Sequence, residues 1–235
     1  MNVCKDKQLG SCVYCGKRKL SLLEGLSEEE LALLNNDRII VKFRKGETIY
    51  KEYTKPIGLY CLNEGKVKLV KYSDNGNEVI IGLKKPVDFI DLETLLANEK
   101  YNHTAIALED TSVCIITEEN FRKVLSENCV FANKLLKNIS QSLLDYNEWF
   151  VNITQKQIHA RIAKTLLKLK EFYGLSDDDF LNVSLKRSDI AALSCITTAN
   201  VIRTISAFEK ENIIECDKKR IKILNHKKLE EISQY

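Results

Sequence analysis

The residues whose spacing first suggests chemistry are cysteines. Cys12-Val13-Tyr14-Cys15 is a C-x2-C pair, and Cys4 lies eight residues before it. Two thiolates at that spacing can converge on one metal ion or cluster. The chain holds eight cysteines, and a reducing compartment argues against reading them as a disulfide framework. Cys61, Cys129, Cys195 and Cys216 sit in apolar runs or in the C-terminal third, and they read as small buried hydrophobes. A thiol-redox or metal-handling enzyme would be another use of Cys12 and Cys15. The pair does not sit at the strand-to-helix junction of a βαβ unit, however. There is also no glycine-rich phosphate loop and no Ser-His-Asp order, so the sequence points away from an enzyme. Of the three histidines, His159 opens a helix, His226 sits in a basic tail and His103 lies in the β-rich part of the chain.

The second chemistry is cationic. Residues 158–235 carry 14 Lys+Arg against 11 Asp+Glu, whereas residues 1–157 are neutral. The stretch from Lys218 to Lys228 holds six basic residues and no acid. Such a patch attracts phosphate backbones. Just before it, the pattern gives a two-turn helix over Arg187–Ser194, a turn at Cys195-Ile196 and a longer helix from Thr197 to Asn212. Two helices joined this way describe a helix-turn-helix, whose second helix enters the major groove. Val201, Ile205 and Phe208 form the apolar face of that helix. Ala199, Arg203 and Ser206 lie opposite, flanked by Asn200 and Ile202. Arginine pairs bidentately with guanine and asparagine with adenine. Two short strands, over 213–216 and 220–224, then make a wing that turns at Lys218-Lys219. The expected DNA contacts are Thr197, Thr198, Ala199, Asn200, Arg203, Ser206, Lys218, Lys219 and Arg220.

The whole chain must position these groups. It has 235 residues, 44% hydrophobic and 29% charged, which excludes a disordered or low-complexity polymer. No run approaches the ~18 apolar residues of a membrane span, and the polar start, Met1–Lys7, lacks a signal-peptide core. A cytoplasmic protein with no membrane partner is expected. Residues 1–20 form a Cys-bearing lead. Ser27 and Glu30 make a capping box for a short helix. From Asp37 to Ile116 short β segments alternate with turns, among them Asp74-Asn75-Gly76-Asn77, where Asn-Gly favours a hairpin. This reads as a β-sandwich or barrel over 21–127. Both prolines, Pro56 and Pro86, lie in the first 90 residues, so long helices are free to form later. One is expected over 128–157. Its residues Leu136, Ile139, Leu143, Tyr146, Phe150 and Ile153 are spaced 3, 4, 3, 4, 3. That is a heptad stripe, the signature of a helix that pairs with a copy of itself. Residues 158–235 form the winged helix-turn-helix, preceded there by an amphipathic helix ending at Gly174 and a short strand over 180–184.

At this point the sequence resembles the Crp/Fnr superfamily of bacterial transcription regulators over nearly its whole length. The resemblance rests on Lys45-Gly46-Glu47, the segment Leu62–Leu69, Asp88-Phe89-Ile90 and Ala107–Thr111. It also rests on Arg187-Ser188-Asp189-Ile190-Ala191 leading into Thr197–Arg203. It implies an α+β protein: an N-terminal β-roll like a cyclic-nucleotide-binding domain, a long dimerisation helix, and a C-terminal winged helix-turn-helix. It further implies a homodimer on a palindromic operator, with RNA polymerase as a partner and Arg203 as a base-contacting residue. The family's recognition-helix glutamate is Ala199 here and its small residue before the arginine is Ile202, so a different operator is implied. Cyclic-AMP-binding relatives need Gly-Glu and Arg-Ser/Thr; the corresponding positions, Asp91-Leu92 and His103-Thr104, lack both the ribose acceptor and the phosphate arginine. Cyclic AMP is therefore not expected, and His103 and Thr104 remain as the pocket candidates. Oxygen-sensing Fnr-like relatives hold a [4Fe–4S] cluster on N-terminal cysteines plus one in the β-roll. That resemblance makes Cys4, Cys12, Cys15 and Cys114 the ligand candidates. The usual third cysteine after the C-x2-C is replaced by Lys17-Arg18-Lys19. A ligand- or haem-responsive regulator without a cluster is the alternative; because the family has gas-sensing members, the resemblance makes His103 the candidate axial ligand of such a haem.

Overall fold

The structure is a computed structural model that describes residues 21–73 and 75–235. The N-terminal lead with Cys4, Cys12 and Cys15 lies outside the described residues, as does Asp74. The chain divides into two compact units. One comprises the described residues up to Lys71 together with Ile81–Leu143, the other Tyr72–Ile80 with Leu144–Tyr235.

The first unit opens with α1 (Glu28–Asn35). Its capping box forms as the sequence predicts: Ser27 Oγ accepts from the Glu30 amide at 3.2 Å, and the Glu30 carboxylate accepts from the Ser27 amide at 2.7 Å. Eight strands follow, β1 (Ile39–Phe43), β2 (Thr48–Tyr50), β3 (Leu59–Glu64), β4 (Val67–Tyr72), β5 (Glu78–Lys84), β6 (Phe89–Ile90), β7 (Thr104–Ala107) and β8 (Thr111–Ile116), with α2 (Leu92–Ala97) between β6 and β7. They form two four-stranded sheets, ordered β1-β8-β3-β6 and β2-β7-β4-β5. Strands β2 and β6 and helix α2 are additions to the predicted set; β2 and β6 are too short to carry a periodic signal.

Two apolar clusters follow from the alternation of side chains across a strand. Val41, Tyr60, Leu62, Val113 and Ile115 of one sheet meet Tyr50, Val67, Leu69 and Ala105 of the other. Leu59 and Ile116 join the opposite cluster, with Leu31, Leu34, Phe121, Phe131 and Leu135 from α1, α3 (Glu118–Glu127) and the start of α4 (Cys129–Gln155). Helix α4 realises the expected long helix.

The second unit contains α5 (Ile158–Tyr173), α6 (Arg187–Ser194), α7 (Thr198–Lys210), the antiparallel pair β9 (Ile214–Asp217) and β10 (Arg220–Ile223), and α8 (His226–Ile232). Helix α8 has no counterpart in the sequence reading. The strand expected over 180–184 is not formed; Leu175↔Leu181 and Phe180↔Lys222 make isolated bridges instead. Among the described residues no single helix is long and apolar enough to cross a membrane.

Gly65 connects β3 to β4 with φ +88°, and an added Cβ would stand 2.3 Å from Thr111 Oγ1 and 2.7 Å from the Asp110 carbonyl. Backbone cannot retreat as a side-chain tip can. Gly65→Ala is expected to lower the unfolding free energy by about 2 kcal/mol or more through overpacking and positive-φ strain. Urea denaturation checks this.

Candidate nucleic-acid interface and sensor site

Helices α6 and α7 bend by 105° across the break at residues 195–197. Local chemistry fixes that corner. Asp189, buried in α6, accepts from the Lys186 amide at 2.9 Å and closes the helix start. Cys195 caps α6 in the left-handed conformation, φ 51°, while its amide donates to Ala191. Thr197 caps α7 by accepting from the Asn200 amide. The Thr165 and Ser194 hydroxyls pair at 2.8 Å and tie α6 to α5.

Val201, Thr204, Ile205 and Phe208 are buried. That leaves Thr198, Ala199, Ile202, Arg203 and Ser206 exposed on one face of α7, with Asn200 half-buried at its edge. The face predicted from the sequence is thus presented outward. Ile202 belongs to it centrally, 51% exposed, although it entered the sequence reading only as a flank. Placing residues 199, 202, 203 and 206 on a helical wheel would have found it.

In the wing, Lys218 and Lys219 form the exposed turn, Lys218 with φ 56°. Arg220 is different. Its guanidinium pairs with Asp178 and lies 4.1 Å from the Phe180 ring centre, and Lys222 pairs with Asp179 at 3.2 Å. Arg220 was expected to meet phosphate; here it clamps the 174–182 loop to β10.

On α4, Leu136, Leu143, Tyr146 and Phe150 of the predicted stripe are exposed, Leu143 by 60%. Leu144 and Val151 extend it. Ile139 instead packs against the helical cluster of the first unit, and Ile153 is half-buried. The exposed stripe is therefore narrower at its d positions than the heptad reading implies. Trp149 turns inward, its Nε1 donating to the Leu193 carbonyl at 3.4 Å.

In the first unit, His103 is only 5% exposed. Asn102 Oδ1 can only accept, so His103 Nδ1 carries the proton at 2.6 Å, and Nε2 accepts from the Tyr50 hydroxyl at 2.9 Å. Tyr50 stacks on Tyr101, ring centres 3.7 Å apart, and Tyr60 meets Tyr50 edge-on. Thr104 Oγ1 accepts from the Glu52 amide. Both proposed pocket residues are thus engaged by the protein itself. Asp91 Oδ2 lies 3.6 Å from His103 Nε2 and makes no hydrogen bond, while Oδ1 accepts from Thr94. Burial pushes the Asp91 carboxyl above its ordinary range and lowers His103 to about 4, so the contact is not an ion pair at neutral pH. Both ring nitrogens being occupied, His103 offers no free lone pair to a haem iron.

Cys114 lies on β8 opposite Ile40 of β1 and Cys61 of β3. Its Sγ accepts from Arg38 Nη1 at 3.0 Å. The three lead cysteines proposed with it fall outside the described residues. Among the described residues no group of three or more His, Cys, Asp or Glu is placed to hold a metal ion.

Comparison with known families matches residues 40–128 to the cyclic nucleotide-binding domain and residues 160–232 to the Crp-like helix-turn-helix domain. The chain belongs to the Crp/Fnr family. This Crp/Fnr regulator is 26% identical over 220 residues to the transcriptional activator protein Anr of Pseudomonas protegens, covering 91% of this chain and 88% of that one. It is 25% identical over 228 residues to the fumarate and nitrate reduction regulatory protein of Vibrio cholerae, covering 94% and 90%. In fold it is similar to FixK2 from Bradyrhizobium japonicum, with a TM-score of 0.75 at 22% identity over 83% of this chain and 96% of that one. The Crp/Fnr regulator is a DNA-binding transcription factor, and its relatives are regulators rather than enzymes.

The neutral state of His103 carries a testable consequence. Unfolded histidine takes up a proton near pH 6.5, whereas the buried one resists until about pH 4. Its contribution to stability is therefore complete above pH 6.5 and is lost as pH falls toward 4. Asp91 acts oppositely, since its burial penalises the charged form that acid removes. Between pH 7 and 4.5 the wild-type chain is expected to lose about 2 kcal/mol more unfolding free energy than His103→Gln. Denaturant titrations at the two pH values measure the difference.

Proposed function

We propose that this regulator acts as a homodimer, paired through α4, on a palindromic operator, and that a redox signal sensed in its N-terminal unit controls it. The observation that carries the DNA reading is the outward Ala199–Ile202–Arg203–Ser206 face on a helix set at 105° to its partner. In this reading Arg203 contacts a base edge, Ser206, Thr198 and Asn200 supply nearby polar contacts, and Lys218 and Lys219 meet phosphates. Two heads related by a dyad read half-sites about 34 Å apart. RNA polymerase is the partner to which the bound dimer responds, and the cytoplasm is its place of action.

The Leu136, Leu143 and Phe150 spacing supports the pairing, because these side chains recur every seven residues and all are exposed. For the signal, the donor chemistry fits a thiolate-bound iron–sulfur cluster. Cys114 presents a sulfur that already accepts a charge-assisted bond from Arg38, and Cys4, Cys12 and Cys15 supply further thiols in sequence. When bound, such a cluster supplies electron- and oxygen-dependent chemistry. The chain's part is to convert occupancy into a preference between two arrangements of the α4 seam, a shift of population rather than a new contact with DNA. Cyclic AMP is not the effector in this reading, since Asp91-Leu92 and His103-Thr104 supply neither the ribose acceptor nor the phosphate arginine, and His103 is bonded to Tyr50 instead.

Two experiments test the reading. Arg203→Ala is expected to weaken binding to a selected operator by about 1–3 kcal/mol and to leave random duplex unaffected; fluorescence anisotropy reads both, and equal losses would make Arg203 a phosphate contact. Leu143→Glu is expected to give a folded monomer in sedimentation with operator binding abolished. Retained dimer and retained affinity would refute the seam.

A further inference from the structure

Ile202 is 51% exposed, on the same outward side of α7 as Thr198, Ala199, Arg203 and Ser206. Its neighbours on the helix surface, four and three residues before it and four after, are Thr198, Ala199 and Ser206. All three are short, and they leave the branched end of the isoleucine open. Val201, Ile205 and Phe208 are buried and complete the inner face of the same helix, so the core does not call for a fourth large aliphatic residue here. A lone exposed aliphatic side chain is ordinary on a protein surface. This one stands beside the cation that faces base edges, and a β-branched residue is a poor choice for the open side of a helix. It has neither donor nor acceptor, so a phosphate or a purely polar base edge cannot engage it.

In the major groove one base alone displays an apolar group: thymine, through its 5-methyl. Resting on the operator-binding reading above, we propose that Ile202 is a specificity-determining residue that reads the 5-methyl of a thymine in each half-site. Ala199, one turn earlier, adds a second methyl and no polar side-chain group, so the thymine meets a short aliphatic strip. Cytosine at that position lacks the methyl and sets its N4 amino group against hydrocarbon, a donor removed from water without a partner. The geometry also fixes where the thymine lies. Consecutive Cα atoms stand about 3.8 Å apart, close to the about 3.4 Å rise of one base pair, so the thymine falls within about two base pairs of the guanine that Arg203 meets. Arg203 then supplies the polar readout and Ile202 the apolar one.

The test uses the full chain and an operator enriched from a random duplex pool. Each thymine is replaced in turn, in both half-sites, by deoxyuridine, which removes the 5-methyl and leaves pairing and every hydrogen-bonding group intact. Fluorescence anisotropy gives the affinities of wild type, Ile202→Val and Ile202→Ala. One buried methyl is worth about fourfold, so the wild type is expected to lose about fifteenfold when the symmetric pair is removed at one thymine position. Ile202→Val, which keeps a branched end, is expected to retain most of that sensitivity, and Ile202→Ala to bind both operators within about twofold of each other. The guanine met by Arg203 is located by 7-deazaguanine, which lacks the N7 acceptor and is expected to weaken the wild type but not Arg203→Ala. The deoxyuridine comparison in the wild type needs no variant and so is independent of any effect of substitution on folding. No methyl-dependent thymine beside that guanine overturns the proposal, as does an equal loss in Ile202→Ala; a retained Arg203 effect then leaves the operator reading standing. A chain that enriches no sequence overturns the operator reading itself.

Discussion

Register at one strand governs the first unit. β8 lies between β1 and β3, bonded to both, and its side chains alternate between two separate apolar clusters. Val113 and Ile115 serve the inter-sheet interior, Ile116 the helical side. A slip by one residue would send each to the wrong cluster. The same alternation holds Cys114 level with Cys61 and within reach of Arg38. The steric demand of Gly65, whose α-carbon abuts the start of β8, helps to fix that register. Packing energy and thiol placement are thus one property of this strand.

The second unit solves a simpler problem by similar means. Burying Val201, Ile205 and Phe208 determines which side of α7 is left over. The corner between α6 and α7 depends on a capped start at Thr197 and a left-handed residue at Cys195, a conformation that glycine adopts at less cost. What faces outward is one cation, two hydroxyls, an alanine and one branched aliphatic residue, with little charge of its own. Such a surface derives its discrimination from base edges, and its attraction to duplex comes from the neighbouring lysines.

Much of this was legible in the sequence. The capping box at Ser27, the helix boundaries around α6 and α7 and the break at Gly174 follow from local chemistry, which a window of a few residues contains. So does the outward placement of Arg203. What was not legible depends on contacts between distant segments. Arg220 reads as a free cation because its partners Asp178 and Phe180 lie some forty residues away in the chain. Ile139 has the right heptad position but meets the unit's own core. His103 reads as a pocket residue until Tyr50 and Asn102 are seen to occupy both its nitrogens. Cys61 reads as a buried hydrophobe because strand pairing, not spacing, sets it opposite Cys114.

The ion pairs of the wing alter how this protein should respond to ionic strength. A basic residue contributes to salt-sensitive binding by displacing a condensed cation from the phosphate it meets, roughly 0.9 per phosphate on duplex DNA. Arg220 and Lys222 are already neutralised by Asp178 and Asp179, and Lys228 has Glu231 nearby. The basic run counted from the sequence therefore overstates the electrolyte effect. Complexes of this regulator should persist into saltier buffers than its density of lysine and arginine suggests.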